Sequence, residues 1–333
     1  MLPKIMSTNA SRHDSTISMR IVSAILLISL CTSCSTRINV KPEAQARLTK
    51  KHYVSYDGDH FGYRKSVPDT VHTVIIGVHG ISGHSGDYDN LTKHLQSNHK
   101  GVAIYAAETR GQGLDPNKKR IGDIRNPHIW HKDLYTFTTL IRKKHPQARI
   151  IWLGESMGSL IILHAYHNTP QGFKKPDALI LASPIIEISD KVAPWQFITM
   201  RMAAAIFPKL RISLETLAPN QQPIVTKDNI HKQQAPKNAW YVPRYTLRLL
   251  LTLGKMADQM KALASRTHCP VLILHGGQDI FTPKEKIDLF YASFPQKTST
   301  TYHHYKESFH LLMYDHQRKK IFQDISVWLK KYH

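Results

Sequence analysis

An α/β domain with a mostly parallel central sheet and helices on both faces is the fold class this sequence predicts. Apolar, β-rich runs recur at Val74–Val78, Val102–Ala107, Ile150–Leu153, Ala178–Ala182 and Val271–Leu274. Helical stretches separate them at about Asp87–Ser97, Ile129–Lys144, Ser156–His167 and Lys284–Ala292, and no internal repeat or Gly/Ser linker interrupts the alternation. Strands that are apolar throughout must be covered on both faces, and parallel neighbours need a crossover helix between them. His52–Tyr63, with Tyr56-Asp57-Gly58-Asp59 at a turn, predicts an antiparallel hairpin at the sheet edge, and Gln317–Lys331 a closing helix.

The first buried run ends in T-V-I-I-G-V-H-G-I-S-G-H-S-G, a strand running into a glycine-bearing loop after His79-Gly80. Such a loop can turn the backbone N–H of Ile81 toward a reacting carbonyl, where preorganised donors stabilise the developing oxyanion. His79 and His84 could be read as metal ligands, but neither an H-E-x-x-H pattern nor a cysteine cluster accompanies them.

Residues 150–158 read I-I-W-L-G-E-S-M-G, an apolar strand closing on a G-x-S-x-G pattern. At a nucleophile elbow the serine occupies a strained strand-to-helix turn, which requires small residues two positions either side, here Gly154 and Gly158. The pattern proposes Ser156 as a nucleophile. The helix from Ser159 to Tyr166 would aim its N-terminus at the developing charge, with the N–H of Met157 as second oxyanion donor.

From Ser183 to about Met256 the alternation stops and Pro, Met, Trp and basic residues take over, marking an insertion. Ala193–Leu210 and Tyr245–Met256 are apolar helical stretches that would roof the site as a cap. Trp195, Phe197, Met200 and Phe207 could line a pocket or face a membrane, although a stripe at helical spacing more often belongs to a core.

A serine attacks only if a base removes its proton, and the base is usually a histidine held by a carboxylate. V-L-I-L-H-G-G-Q-D places Asp279 just past a strand end, and T-T-Y-H-H-Y followed by K-E-S-F-H places His310 on the loop after another. Singly, Asp279 could be a turn residue or an N-cap, and His310 is one of 21 histidines. The order Ser, acid, His, each at a strand end, favours a triad.

Together these segments resemble the monoacylglycerol lipase and lysophospholipase group of α/β-hydrolases, a serine aminopeptidase S33-like family, from about Tyr53 onward. H-G-I-S-G-H-S-G-D-Y resembles its oxyanion loop, V-A-I-Y-A-A-E-T-R-G-Q-G its strand and D-x-R-G-x-G segment, G-E-S-M-G its elbow, H-G-G-Q-D its acid turn and S-F-H-L-L its histidine loop. The resemblance implies the α/β-hydrolase fold with a helical cap insertion at about 184–256. It further implies Ser156, Asp279 and His310 as the triad, Ile81 and Met157 as oxyanion donors, and neither metal nor organic cofactor. The chain departs at Glu108, where the family has aspartate, and at Gln112, where histidine is common; both read as architectural. Leu114 for a usual serine and Ser159 for a usual glycine bear on local packing.

Residues 1–33 read as a signal peptide: M-R-I-V-S-A-I-L-L-I-S-L from Met19, itself a possible start, is a basic residue and an apolar stretch too short for a comfortable span. Cys34, after Thr32 and Ser33, resembles the acylated cysteine of a bacterial lipoprotein, with Cys31 atypical for that box. Residues 34–52 would then be a tether and 53–333 the hydrolase domain, in the cell envelope and by Ser35 at the outer membrane; the alternative is a periplasmic or secreted protein. Cys269 would remain as a lone thiol, so no internal disulfide is expected.

The formal charge is +21, and removing residues 1–33 takes away three basic groups and one acidic, leaving +19. Such a surface attracts polyanions. No helix-turn-helix, zinc-finger or RNP pattern points to nucleic acid, so an anionic membrane surface is the expected partner. The expected function is a serine hydrolase of lipid carboxylic esters, monoacylglycerols or lysophospholipids. The alternatives are a thioesterase or peptidase on the same scaffold, with Glu187, Asp190 or Glu215 as an amino-group partner, or a non-catalytic tethered lipid- or polyanion-binding protein. Oligomeric state is not legible.

Overall fold

The computed structural model describes residues 45–187, 194–213, 226–227, 237–297 and 299–331. The expected signal peptide, Cys34 and the tether up to residue 44 lie outside the described residues. The sheet starts before the expected domain boundary at Tyr53: β1 (Arg47–Leu48) pairs antiparallel with β2 (His52–Val54), Arg47 opposite Val54 and Leu48 opposite Tyr53. Two residues carry no periodicity, so only this pairing reveals β1. The predicted hairpin is formed by β2 and β3 (His60–Ser66).

The remaining large strands are β4 (Thr73–Val78), β5 (Val102–Ala107), β6 (Arg149–Glu155), β7 (Ala178–Ala182), β10 (Val271–Gly276) and β11 (Thr300–Tyr305). Their order completes a nine-stranded sheet, β1-β2-β3-β5-β4-β6-β7-β10-β11, parallel from β5 to β11. The crossover and closing helices are α1 (Asp89–Asn98), α2 (His128–Lys144), α3 (Met157–His167), α5 (Leu247–Ala264), α6 (Lys284–Ala292) and α7 (Arg318–Lys330).

Alternate strand residues enter opposite cores, as the two-residue period of a strand requires. Val74, Ile76, Trp152, Leu179 and Ile273 pack with α2, α3, α5 and α6, whereas Ile75, Ile151, Ile180 and Leu272 pack with α1 and α7. Each aliphatic side chain so buried contributes about 1.5–3 kcal/mol against exposure, which is why these runs are apolar from end to end. Buried Arg110 ties the edge hairpin to α2 through ion pairs with Asp57, Asp59 and Asp133. The aspartates of the expected turn are therefore structural anchors as well.

Between β7 and β10 the chain forms α4 (Pro194–Ile206) and a two-stranded ribbon of β8 (Arg211–Ile212) with β9 (Tyr245–Thr246). The stretch Tyr245–Met256, expected as a cap helix, is otherwise disposed. Its first two residues are β9, and Thr246 then caps α5, accepting from the Leu249 amide. That helix runs on to Ala264 and buries Leu249, Met256, Ala257 and Met260 in the main core. Helical periodicity reports an apolar face and not what covers it. Among the described residues no helix is long and apolar enough to cross a membrane.

Candidate active site

Three loops at the carboxyl ends of parallel strands bring the expected residues together. Ser156 follows β6 directly, Asp279 lies three residues past β10, and His310 five past β11. His310 Nε2 is 2.8 Å from Ser156 Oγ, and His310 Nδ1 is 2.7 Å from Asp279 Oδ2. A carboxylate can only accept, so the proton sits on Nδ1 and leaves Nε2 to accept from the serine hydroxyl. All three are buried, at 3 %, 6 % and 4 % exposure for Ser156, Asp279 and His310, so these bonds escape competition from bulk water.

Local chemistry forces the serine into place. Ser156 has φ 56° and ψ −118°, a left-handed conformation that costs a non-glycine residue energy and marks a strained turn. A Cβ on Gly154 would stand 2.4 Å from the backbone of Gly158, and one on Gly158 would stand 1.9 Å from the Val78 carbonyl oxygen. Both positions therefore admit only glycine. Ser159, at the position of a usual glycine, is accommodated because its hydroxyl donates to the Gly154 carbonyl at 2.7 Å and the Ala182 carbonyl at 3.1 Å.

Asp279 is held for its task. Its Oδ1 accepts from the amides of Phe281 and Thr282, leaving Oδ2 to His310. Burial alone would raise its pKa, but the charge and hydrogen bond of His310 and the Phe281 amide hold it below the ordinary carboxylate range. For His310 burial disfavours the charged form, yet the Asp279 charge, its hydrogen bond and the charge of Glu155 outweigh that and raise the imidazole pKa above 6.5.

Met157 directly follows the nucleophile in the chain, and Ile81 directly follows Gly80. Met157 is the first residue of α3, so its amide has no intrahelical acceptor. No hydrogen bond from either amide to a protein acceptor is found among the described residues. Gly80 lies against Ser156, since a Cβ there would meet the serine Cβ at 3.3 Å. His79 braces this loop: Nε2 accepts from the Thr109 amide at 3.0 Å, and Nδ1 donates to the Gly80 carbonyl at 2.9 Å. Glu108 accepts from the Ser85 and Leu114 amides, and Gln112 from the Ser82 amide. These are the architectural roles expected of the two departures.

Sequence reasoning missed Glu155 and Ser183. Glu155 lies fully buried under the elbow and accepts from the Met313 amide at 3.1 Å, three residues beyond His310. Burial first, then repulsion from Asp87, raises its pKa to about 7. A lone carboxylate inside I-I-W-L-G-E was the available signal. Ser183, at φ 44°, donates to the His310 carbonyl at 2.6 Å; its sequence surroundings carry no comparable mark.

A Ser-His-Asp chain at the carboxyl ends of strands in a sheet of this order defines an α/β-hydrolase. The chain belongs to the serine aminopeptidase S33 family, whose model matches residues 69–317, about three quarters of its length. It is similar to the monoglyceride lipase of Rattus norvegicus, 23% identical over 289 residues that cover 84% of this chain and 89% of that protein. Among solved structures it resembles the monoacylglycerol lipase of Paleococcus ferrophilus (TM-score 0.64, 20% identity, covering 82% of this chain and 99% of that one). It also resembles a soluble variant of monoglyceride lipase from Saccharomyces cerevisiae in complex with a substrate analog (TM-score 0.70, 19% identity, covering 87% and 98%). At these identities the structural likeness establishes the fold.

Proposed function

We propose that this carboxylic-ester hydrolase cleaves lipid esters, monoacylglycerols or lysophospholipids, through Ser156, His310 and Asp279. The observation that carries the reading is the buried hydrogen-bonded chain from Asp279 through His310 to Ser156. Ser156 Oγ attacks the ester carbonyl while His310 Nε2 takes its proton, and the Ile81 and Met157 amides receive the oxyanion. Collapse expels the alcohol, which takes the proton back from His310. Water, deprotonated by the same imidazole, then hydrolyses the acyl-enzyme and releases the fatty acid. The chain, the ester and water supply every proton and electron pair in this cycle.

A lipid substrate is favoured by the monoglyceride lipase relatives and by α4, which exposes Trp195, Ile198, Met202 and Ile206 at helical spacing, followed by exposed Phe207 and Leu210. The side chain of Phe197 lies outside the described residues. A carboxylate placed to pair with a substrate amino group would favour an aminopeptidase. Of the three candidates, Asp190 and Glu215 lie outside the described residues, and Glu187 is ion-paired with Lys261 at 2.7 Å.

The deciding experiment measures hydrolysis of p-nitrophenyl esters of increasing chain length, then of monoacylglycerol and lysophospholipid, beside Ser156→Ala. Expected is turnover that favours longer chains and vanishes in the variant. Equal background rates in both proteins would mean a binding protein, and cleavage of aminoacyl amides without esters a peptidase.

Because His310 must be neutral to act as base, kcat/KM should fall as pH drops through its raised pKa, above 6.5. Glu155→Gln keeps an acceptor for Met313 but removes a negative charge that favours the imidazolium, so the acid limb should move to lower pH. A limb that stays in place would refute this coupling.

We further propose that the protein acts at an anionic membrane surface, as its charge of +21 favours, and is anchored through Cys34 in the bacterial envelope, at the outer membrane. Several acyl chains, at about 0.8 kcal/mol per buried methylene, hold where one is marginal. Cys34→Ala should release the protein from the membrane fraction; continued retention would rule out the lipid anchor.

A further inference from the structure

The loop that carries Ile81 contains a second serine whose bonds leave the hydrolase core. The Gly83 amide donates to the Gly80 carbonyl at 3.1 Å, closing a four-residue turn with Ile81 and Ser82 at its centre. Ser82, the third residue of that turn, has φ 57°. Glycine ordinarily fills such a position, since it alone takes positive φ without steric cost. Serine must repay that strain with an interaction glycine lacks.

That interaction runs to the insertion. The Ser82 hydroxyl accepts from the Val242 amide at 3.0 Å, while the Ser82 amide donates to Gln112 Oε1 at 3.2 Å. Val242 and Tyr245 belong to the strap that leads from the insertion into α5. Two residues upstream of Val242, Trp240 stacks on His84 of the same loop, with ring centroids 5.0 Å apart. The strap therefore grips the oxyanion loop at two points, and the one at Ser82 adjoins the Ile81 peptide.

We propose that Ser82 is a positioning residue that couples the strap Trp240–Tyr245 to the Ile81 amide, so that the seating of the insertion is expressed in transition-state stabilisation. This rests on the reading of Ile81 as an oxyanion donor. Ground-state binding of the ester carbonyl draws little on that donor, whereas the oxyanion draws on it fully. The signature is thus a loss in kcat at nearly constant KM.

The test compares wild type, Ser82→Gly and Trp240→Ala in ester hydrolysis and in affinity for a trifluoromethyl ketone, whose hemiketal oxygen occupies the oxyanion position. Ser82→Gly keeps the turn but removes the hydroxyl tie to Val242. Its kcat should fall by about 10-fold to 10²-fold, less than deletion of a donor, with KM within twofold and ketone affinity falling by the same factor as kcat/KM. Trp240→Ala, which removes the stacking on His84 at the strap's other grip, should show a smaller loss of the same kind, and it carries the test if Ser82→Gly fails to fold. Unchanged kcat and ketone affinity in folded variants, or a loss confined to KM, would overturn the proposal. If instead wild type fails to bind the ketone and Ser156→Ala turns over like wild type, the hydrolase reading itself fails.

Discussion

Replacing Ser156 with alanine is expected to lower kcat by about 10⁶-fold, leaving only the residual rate that oxyanion donors and binding supply without a nucleophile. Alanine cannot be acylated, and His310 Nε2 loses the hydroxyl it accepts from at 2.8 Å. The fold should survive, because the backbone bond from the Ser156 amide to the Ala182 carbonyl remains and alanine at φ 56° is no more strained than serine. Adding His310→Ala should cost almost nothing further, since the two act as one unit. Steady-state and single-turnover kinetics on an activated ester check both statements. A single variant retaining more than about a hundredth of wild-type turnover would mean that another residue carries the attack.

Asp279→Asn is expected to cost about 10⁴-fold in kcat while leaving the fold intact. The reason lies in the carboxylate's second oxygen. Asp279 Oδ1 is committed to the amides of Phe281 and Thr282, so the asparagine carbonyl would take that place and turn its NH₂ toward His310. An NH₂ facing Nδ1 forces the imidazole proton onto Nε2, where it points at Ser156 and cannot accept from it. Thermal unfolding should show little change beside a large kinetic loss. A loss below tenfold would show that His310 keeps its tautomer without Asp279.

Much of the fold was legible because a parallel sheet covered on both faces writes an unmistakable pattern. Val74–Val78, Val102–Ala107 and Ala178–Ala182 appear at the bounds where strands occur or within a residue of them. The chemistry-bearing loops were legible for a related reason: each follows a strand end, and strand ends are where such runs stop. β1 escaped, since two half-exposed residues are defined only by their partner strand. α5 was half read, because its apolar stripe is the same whether it roofs a site or, as here, packs on α3 with His164 bonded to the Met256 carbonyl.

By itself the sequence determined the layered α/β architecture, the order Ser156, Asp279, His310, and glycine at positions 154 and 158. These follow from local periodicity and from steric limits acting within a few residues. Only the tertiary structure decided that Glu155 reaches Met313 across the elbow, that Ser183 holds the His310 carbonyl, and that Ser82 meets Val242. Each of these contacts joins residues far apart in the chain through a polar group of common type. No spacing rule encodes such a pairing, because the distance between partners is set by how the layers pack.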